Sequence, residues 1–191
     1  MSELENLSKP FLQPLLMGER SLLDTAAQAT LALWAVKTAM VLEALDAHDR
    51  HGYTMAERER LRSISEIPWR TSVWLAASVD PALFLSTKNR HLGVANVTGI
   101  SGVSITIALA HAVVQVLRIK VPDDVGPHTI VTTSVKQGPW DRATVQIRPT
   151  RTALINWPPP MGLNGEDGLN FLAERFSTTA RDSGPLDTLV L

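Results

Sequence analysis

Cysteine is missing from all 191 residues. That single absence removes disulfides, thiolate nucleophiles and every zinc site that needs a thiolate ligand. An excess of either charge is missing too, since 18 Lys and Arg stand against 19 Asp and Glu. No global field therefore marks the chain as a polyanion or membrane binder. Aromatics are scarce at 5%, so the core has to be built mainly from aliphatic side chains. A secretory leader needs a basic start followed by an apolar run. The opening Met1-Ser2-Glu3-Leu4-Glu5 has neither, which predicts a cytoplasmic protein. The longest apolar run, Leu31 to Leu45, is interrupted by Lys37 and Glu43. It is short for a bilayer span, and we read it as a core helix with no membrane role. No phosphate-binding or dinucleotide fingerprint occurs, so no cofactor is expected. Gly99-Ile-Ser101-Gly102 is one residue too short for a nucleophile elbow and leads into a strand, not a helix.

What is present reads as one α+β domain over 1–176, with a mobile tail over 177–191. The periodicities predict helices at about 3–17, 25–47 and 55–65, strands within 71–147, and a short helix at about 167–176. Pro10 and Pro14 should break or kink the first helix, because each removes a donor. Thr25-Ala-Ala-Gln28 and Thr54-Met-Ala-Glu57 read as capping boxes, with Asp24 competing at the first. The helix from residue 25 is apolar nearly all round, the mark of a central helix. Thr71 to Val79 reads as a strand, with Ala82 to Thr87 as its return. The strongest β signal is Ser104 to Ile119. A tight turn at Ala110-His111 would set Leu109 against Ala112, Ile107 against Val114 and Ile105 against Val116. Both faces of that hairpin are apolar, so it belongs inside a sheet covered on both sides. Thr129 to Val135 and Ala143 to Ile147 read as further strands, and Trp157-Pro-Pro-Pro160 as a stiff extended stretch.

The net charge of −1 conceals a basic middle. Residues 67–154 carry nine Lys and Arg against four Asp and Glu, whereas both flanks are acidic. The middle can face an acidic partner or its own flanks, and internal pairing is the expectation. Within it, Arg118, Lys120, Arg142, Arg148 and Arg151 fall near strand ends, with Trp140 close by. Cations with an aromatic ring suit phosphates and a stacked base. The same cations can simply protect a sheet edge. A second cluster is Asp46, His48, Asp49 and His51, two imidazoles and two carboxylates within six residues. Such groups can ligate a metal if they converge, or form an ordinary polar loop after a helix. His91, His111 and His128 stand alone, with no acid or nucleophile pairable from sequence.

Several stretches resemble one family. These are Met1-Ser-Glu-Leu-Glu5, Pro10, Leu15-Leu16, Gly18-Glu19, Leu33-Trp-Ala-Val-Lys-Thr-Ala-Met40, Leu42-Glu43, Val73-Trp-Leu-Ala-Ala77, Gln115-Val116 and Trp157-Pro-Pro159. Together they are similar to the body of uncharacterised actinobacterial and phage proteins often labelled HNH-endonuclease-like. In that family a Cys-Asn-x-Gly-Trp segment precedes the Met-Ser-x-Leu-Glu stretch and closes a zinc knuckle. The cysteines and the catalytic histidine strand are not in this sequence, so no functional residue carries over. The resemblance implies a nucleic-acid context, and the missing residues imply a non-catalytic binding or accessory role. Two other expectations stand beside it: a protein–protein interaction factor or inhibitor encoded by a mobile element, and a metal-dependent hydrolase using His48, Asp49 and His51.

Overall fold

The computed structural model describes residues 3–45, 52–79, 85–93, 100–122 and 129–182. The fold is α+β. Glu3–Leu16 forms helix α1, Ser21–Leu23 strand β1, Thr25–Leu45 helix α2 and Met55–Ile64 helix α3. Strands follow at Thr71–Ala77 (β2), Leu85–Gly93 (β3), Ser101–Leu109 (β4), Ala112–Lys120 (β5), Thr129–Val135 (β6), Thr144–Arg148 (β7) and Ile155–Trp157 (β8). Helix α4, Gly165–Glu174, and strand β9, Phe176–Asp182, complete the order.

A five-stranded antiparallel sheet in the order β3-β4-β5-β2-β7 is the centre of the fold. The β4–β5 hairpin turns at Ala110-His111, and its register pairs Leu109 with Ala112, Ile107 with Val114 and Ile105 with Val116, as expected. Val103, Ile105, Ile107, Val114 and Val116 face the main core with α1, α2 and α3. Ala108 and Val113 face α4, and Leu117 and Ile119 lie against Phe176. The sheet is thus covered on both sides, as a hairpin with two apolar faces requires.

Helix α2 begins at Asp24, whose Oδ1 accepts from the Ala27 N–H at 2.8 Å, so Asp24 rather than Thr25 is the cap. Ala27, Leu31, Ala35 and Ala39 are buried along its length. The alanines among them let the helix lie close to the sheet. By length and composition Thr25–Leu45 is apolar enough to cross a membrane, and in this fold it supplies the centre of the core. Helix α3 starts with the expected capping box, Thr54 accepting from the Glu57 N–H while the Glu57 carboxylate takes the Thr54 N–H. It is tied to α2 by the buried Glu43, which accepts from Arg58 at 2.7 Å and from the backbone of Gly52 and Tyr53.

Four expectations need correction. Of the break or kink expected at Pro10 and Pro14, the break does not occur, and helix α1 continues through both. The carbonyl freed by Pro10 belongs to Asn6, and both residues are exposed, so water can take the missing bond. The strand after β2 is later and longer than expected, Leu85–Gly93, and pairs with β4 instead of returning along β2. Its Ser-Thr-Lys-Asn-Arg run suits an edge. The final helix stops at Glu174, two residues short of the expected end, and Phe176 opens β9, Phe176–Asp182, which pairs with β6 as a two-stranded ribbon. Ser21–Leu23 and Ile155–Trp157 also pair, where the sequence predicts only an extended stretch at 157–160.

Candidate nucleic-acid interface

At one end of the sheet β2 begins and β5 finishes, with Thr71 opposite Arg118. The chain enters β2 through Ile67-Pro68-Trp69-Arg70. Ile67 packs on the core, and Pro68 and Thr71 are buried. Arg70 adopts a left-handed backbone, φ 58°, and its carbonyl accepts from the Ile119 N–H at 3.2 Å. The turn is therefore held on both sides, and the side chain between the anchors has nowhere to go but outward. Trp69 is 78% exposed. The Arg70 guanidinium lies 4.7 Å from the centre of its ring, a cation–π arrangement. Lys120, half-exposed at the end of β5, follows Ile119 directly. Among the described residues neither Arg70 nor Lys120 has a carboxylate partner.

The residues singled out from sequence do not share one surface. Arg118 is 8% exposed. Its Nη2 donates to Glu57 Oε1 at 2.6 Å and its Nη1 to the Ile119 carbonyl. It is an interior bridge between sheet and α3, not a free phosphate ligand. Burial opposes ionisation of Glu57, but bonds from the Thr54 N–H and from Arg118 outweigh it and hold the carboxyl below its ordinary pKa. Arg148 sits opposite Val73, nearer the Trp69 end, and is half-buried. Burial holds its guanidinium below the ordinary value. Arg151 is exposed on the segment that returns after Pro149-Thr150. That segment gives the Thr152 carbonyl to Gln28 at the start of α2. Trp140 packs on Phe171, ring centres 5.3 Å apart. Arg142 is exposed on the turn before β7, at the opposite end of the sheet, where Thr144 faces Ala76. Asp46, His48, Asp49 and His51 lie outside the described residues, which resume at Gly52. Among the described residues no group of three His, Asp or Glu is placed to hold a metal.

Trp69 and Arg70 are not among the sequence candidates. The signal available is local: a tryptophan between a proline and an arginine, outside any apolar periodicity. The basic middle does meet its acidic flanks, through Arg118–Glu57 and Lys88–Glu166.

Two other places hold unusual groups. Between sheet and α4, Arg175 is 3% exposed. Its Nε donates to Gln115 Oε1 at 2.8 Å and its Nη1 to Thr144 Oγ1 at 3.3 Å, and the guanidinium lies over the rings of Trp74 and Phe176. Burial lowers its pKa to about 10, with Asp141 opposing, so it stays charged at neutral pH. The Gln115 Nε2 in turn donates to the Leu172 carbonyl and lies within hydrogen-bond distance of the Ser104 and Thr106 hydroxyls. These bonds pin the end of α4 to the sheet. At the end of the sheet away from Trp69, a shallow cleft of about 230 Å³ is lined by Gly18, Val79, His111, Trp157, Pro158 and Gly162. The His111 ring rests on Gly18, where a Cβ would come within 3.1 Å, and its Nδ1 is 3.2 Å from the Ser78 carbonyl. Among the described residues no carboxylate lines the cleft.

Compared with protein-family models, with curated proteins and with solved structures, the chain matches none.

Proposed function

We propose that this chain is a non-catalytic binding domain acting in a nucleic-acid context, and that it engages nucleic acid through the Trp69–Arg70–Lys120 corner. The observation that carries the reading is the exposed Trp69 with the Arg70 guanidinium over its ring, on a turn whose Arg70 carbonyl is bonded to Ile119, the residue before Lys120, a second cation with no carboxylate partner among the described residues. Other cations on or near α3 are already matched: Arg58 with Glu43, Arg60 with Glu66, Arg62 with Glu59 and Arg118 with Glu57. Arg70 and Lys120 have no such match among the described residues and can meet phosphates at this corner, and charge contact supplies most of the affinity when no base sequence is read. The likeness of the sequence to the HNH-like body supports the same context.

The test is retention of a labelled oligonucleotide at low salt by the wild-type chain, by the double variant Arg70→Glu with Lys120→Glu, and by Arg142→Glu. Retention by wild type and Arg142→Glu but not by the double variant is the expected result. Equal retention by all three contradicts this placement, and no retention by wild type contradicts the reading.

A second reading, an interaction factor for a protein partner, is favoured by the opposite end of the molecule. Met17, Leu22 and Val79 are exposed there around the Trp157 cleft, and apolar groups gathered in this way suit a protein contact. A partner that no longer binds after Leu22→Asp with Val79→Asp would support it.

A further inference from the structure

We infer that the nucleic acid taken by this corner is single-stranded, with an unpaired base stacked on Trp69 and adjacent phosphates held by Arg70 and Lys120; this rests on the nucleic-acid reading above. Tryptophan loses more than most residues by remaining in water, because its large apolar area is left unburied. Here the exposure is imposed by structure. Pro68 and Thr71 are buried on either side, and the Arg70 carbonyl is bonded to Ile119, so the indole stands on a fixed turn and needs little further ordering to receive a partner. Even with the guanidinium over its ring, Trp69 as a residue remains 78% exposed and has a face to offer.

A duplex hides the faces of its bases inside the stack and presents edges and phosphates. An indole can stack only on a base that has left the helix, which is how single strands are bound without sequence preference. Two cations, Arg70 and Lys120, are few for a duplex-binding face, where about six or more phosphate contacts are common. They suffice for the phosphates flanking one stacked nucleotide. The Arg70 guanidinium is placed to serve both roles, extending the stacking surface and meeting a phosphate.

The experiment measures fluorescence anisotropy of a labelled oligothymidylate and of a duplex of equal length, with wild type, Trp69→Ala and Trp69→Phe. Trp69 is exposed, so neither substitution should alter the thermal unfolding midpoint. The expected result is tighter binding of the single strand, a loss of about tenfold or more in Trp69→Ala, and near-complete retention in Trp69→Phe. Equal or tighter binding of the duplex, or single-strand binding unchanged in Trp69→Ala, overturns the stacking inference. If Arg70→Glu with Lys120→Glu still abolishes binding in that case, the broader reading survives it. Absence of any binding at low salt overturns both.

Discussion

Glu57 does two jobs with one carboxylate. It closes the capping box of α3 and neutralises Arg118, which would otherwise be a cation buried under the helix. Removing one partner of such a pair costs more than the pair itself contributes, because the remaining charge is stranded. Glu57→Gln should therefore lower stability by about 3 kcal/mol in urea unfolding at pH 7. The pH dependence has a definite sign. The folded carboxyl titrates below its ordinary value. Its contribution is complete above the unfolded pKa of about 4.3 and is lost as pH falls through the lower folded value. Wild type should thus lose stability below about pH 4 more steeply than Glu57→Gln, and parallel acid profiles would contradict the assignment. Arg118 also marks the limit of strand alternation as a guide. In a strand apolar on both faces, alternation does not say which face carries α3, so a strand-end arginine reads as free when it is interior.

The β4–β5 hairpin is the element where sequence and fold agree most closely, because six apolar partners fix its register whatever the turn prefers. The turn itself is imperfect. Ala110 sits at φ 50°, a left-handed conformation that costs a residue with a Cβ about 1 kcal/mol. Ala110→Gly should raise stability by about 0.5 kcal/mol once the greater freedom of unfolded glycine is subtracted. A drop in the denaturation midpoint would show that the turn is not strained. The elements that were not legible share a different physics. Strands β1 and β8 have three residues each, too few for alternation to show. Strands β3 and β9 are polar, one at a sheet edge and one in a ribbon, so their pairing comes from backbone bonds that no side-chain pattern records. Phe176 reads in sequence as the last apolar position of a helix, but it turns into β9 to pack on Trp74, ring centres 5.0 Å apart.

At the scale of the whole molecule the sheet separates two unlike ends. One holds the β4–β5 turn and the apolar cleft, and the other presents Trp69, Arg70 and Lys120. The layer order was legible, since an all-round apolar helix and a two-faced hairpin can only be packed against each other. The division of the basic residues between the ends was not, because it depends on strand direction and on the chain reversal after Arg148. Nor was the exposure of Trp69, because tryptophan is ordinarily read as core. The most direct test of a nucleic-acid interface at this corner is the dependence of single-strand affinity on salt. Two phosphate contacts, from Arg70 and Lys120, predict a slope of log K against log salt of about −1.4, reduced by about 0.7 in Arg70→Gln. A flat dependence, or a slope unchanged in Arg70→Gln, would contradict it.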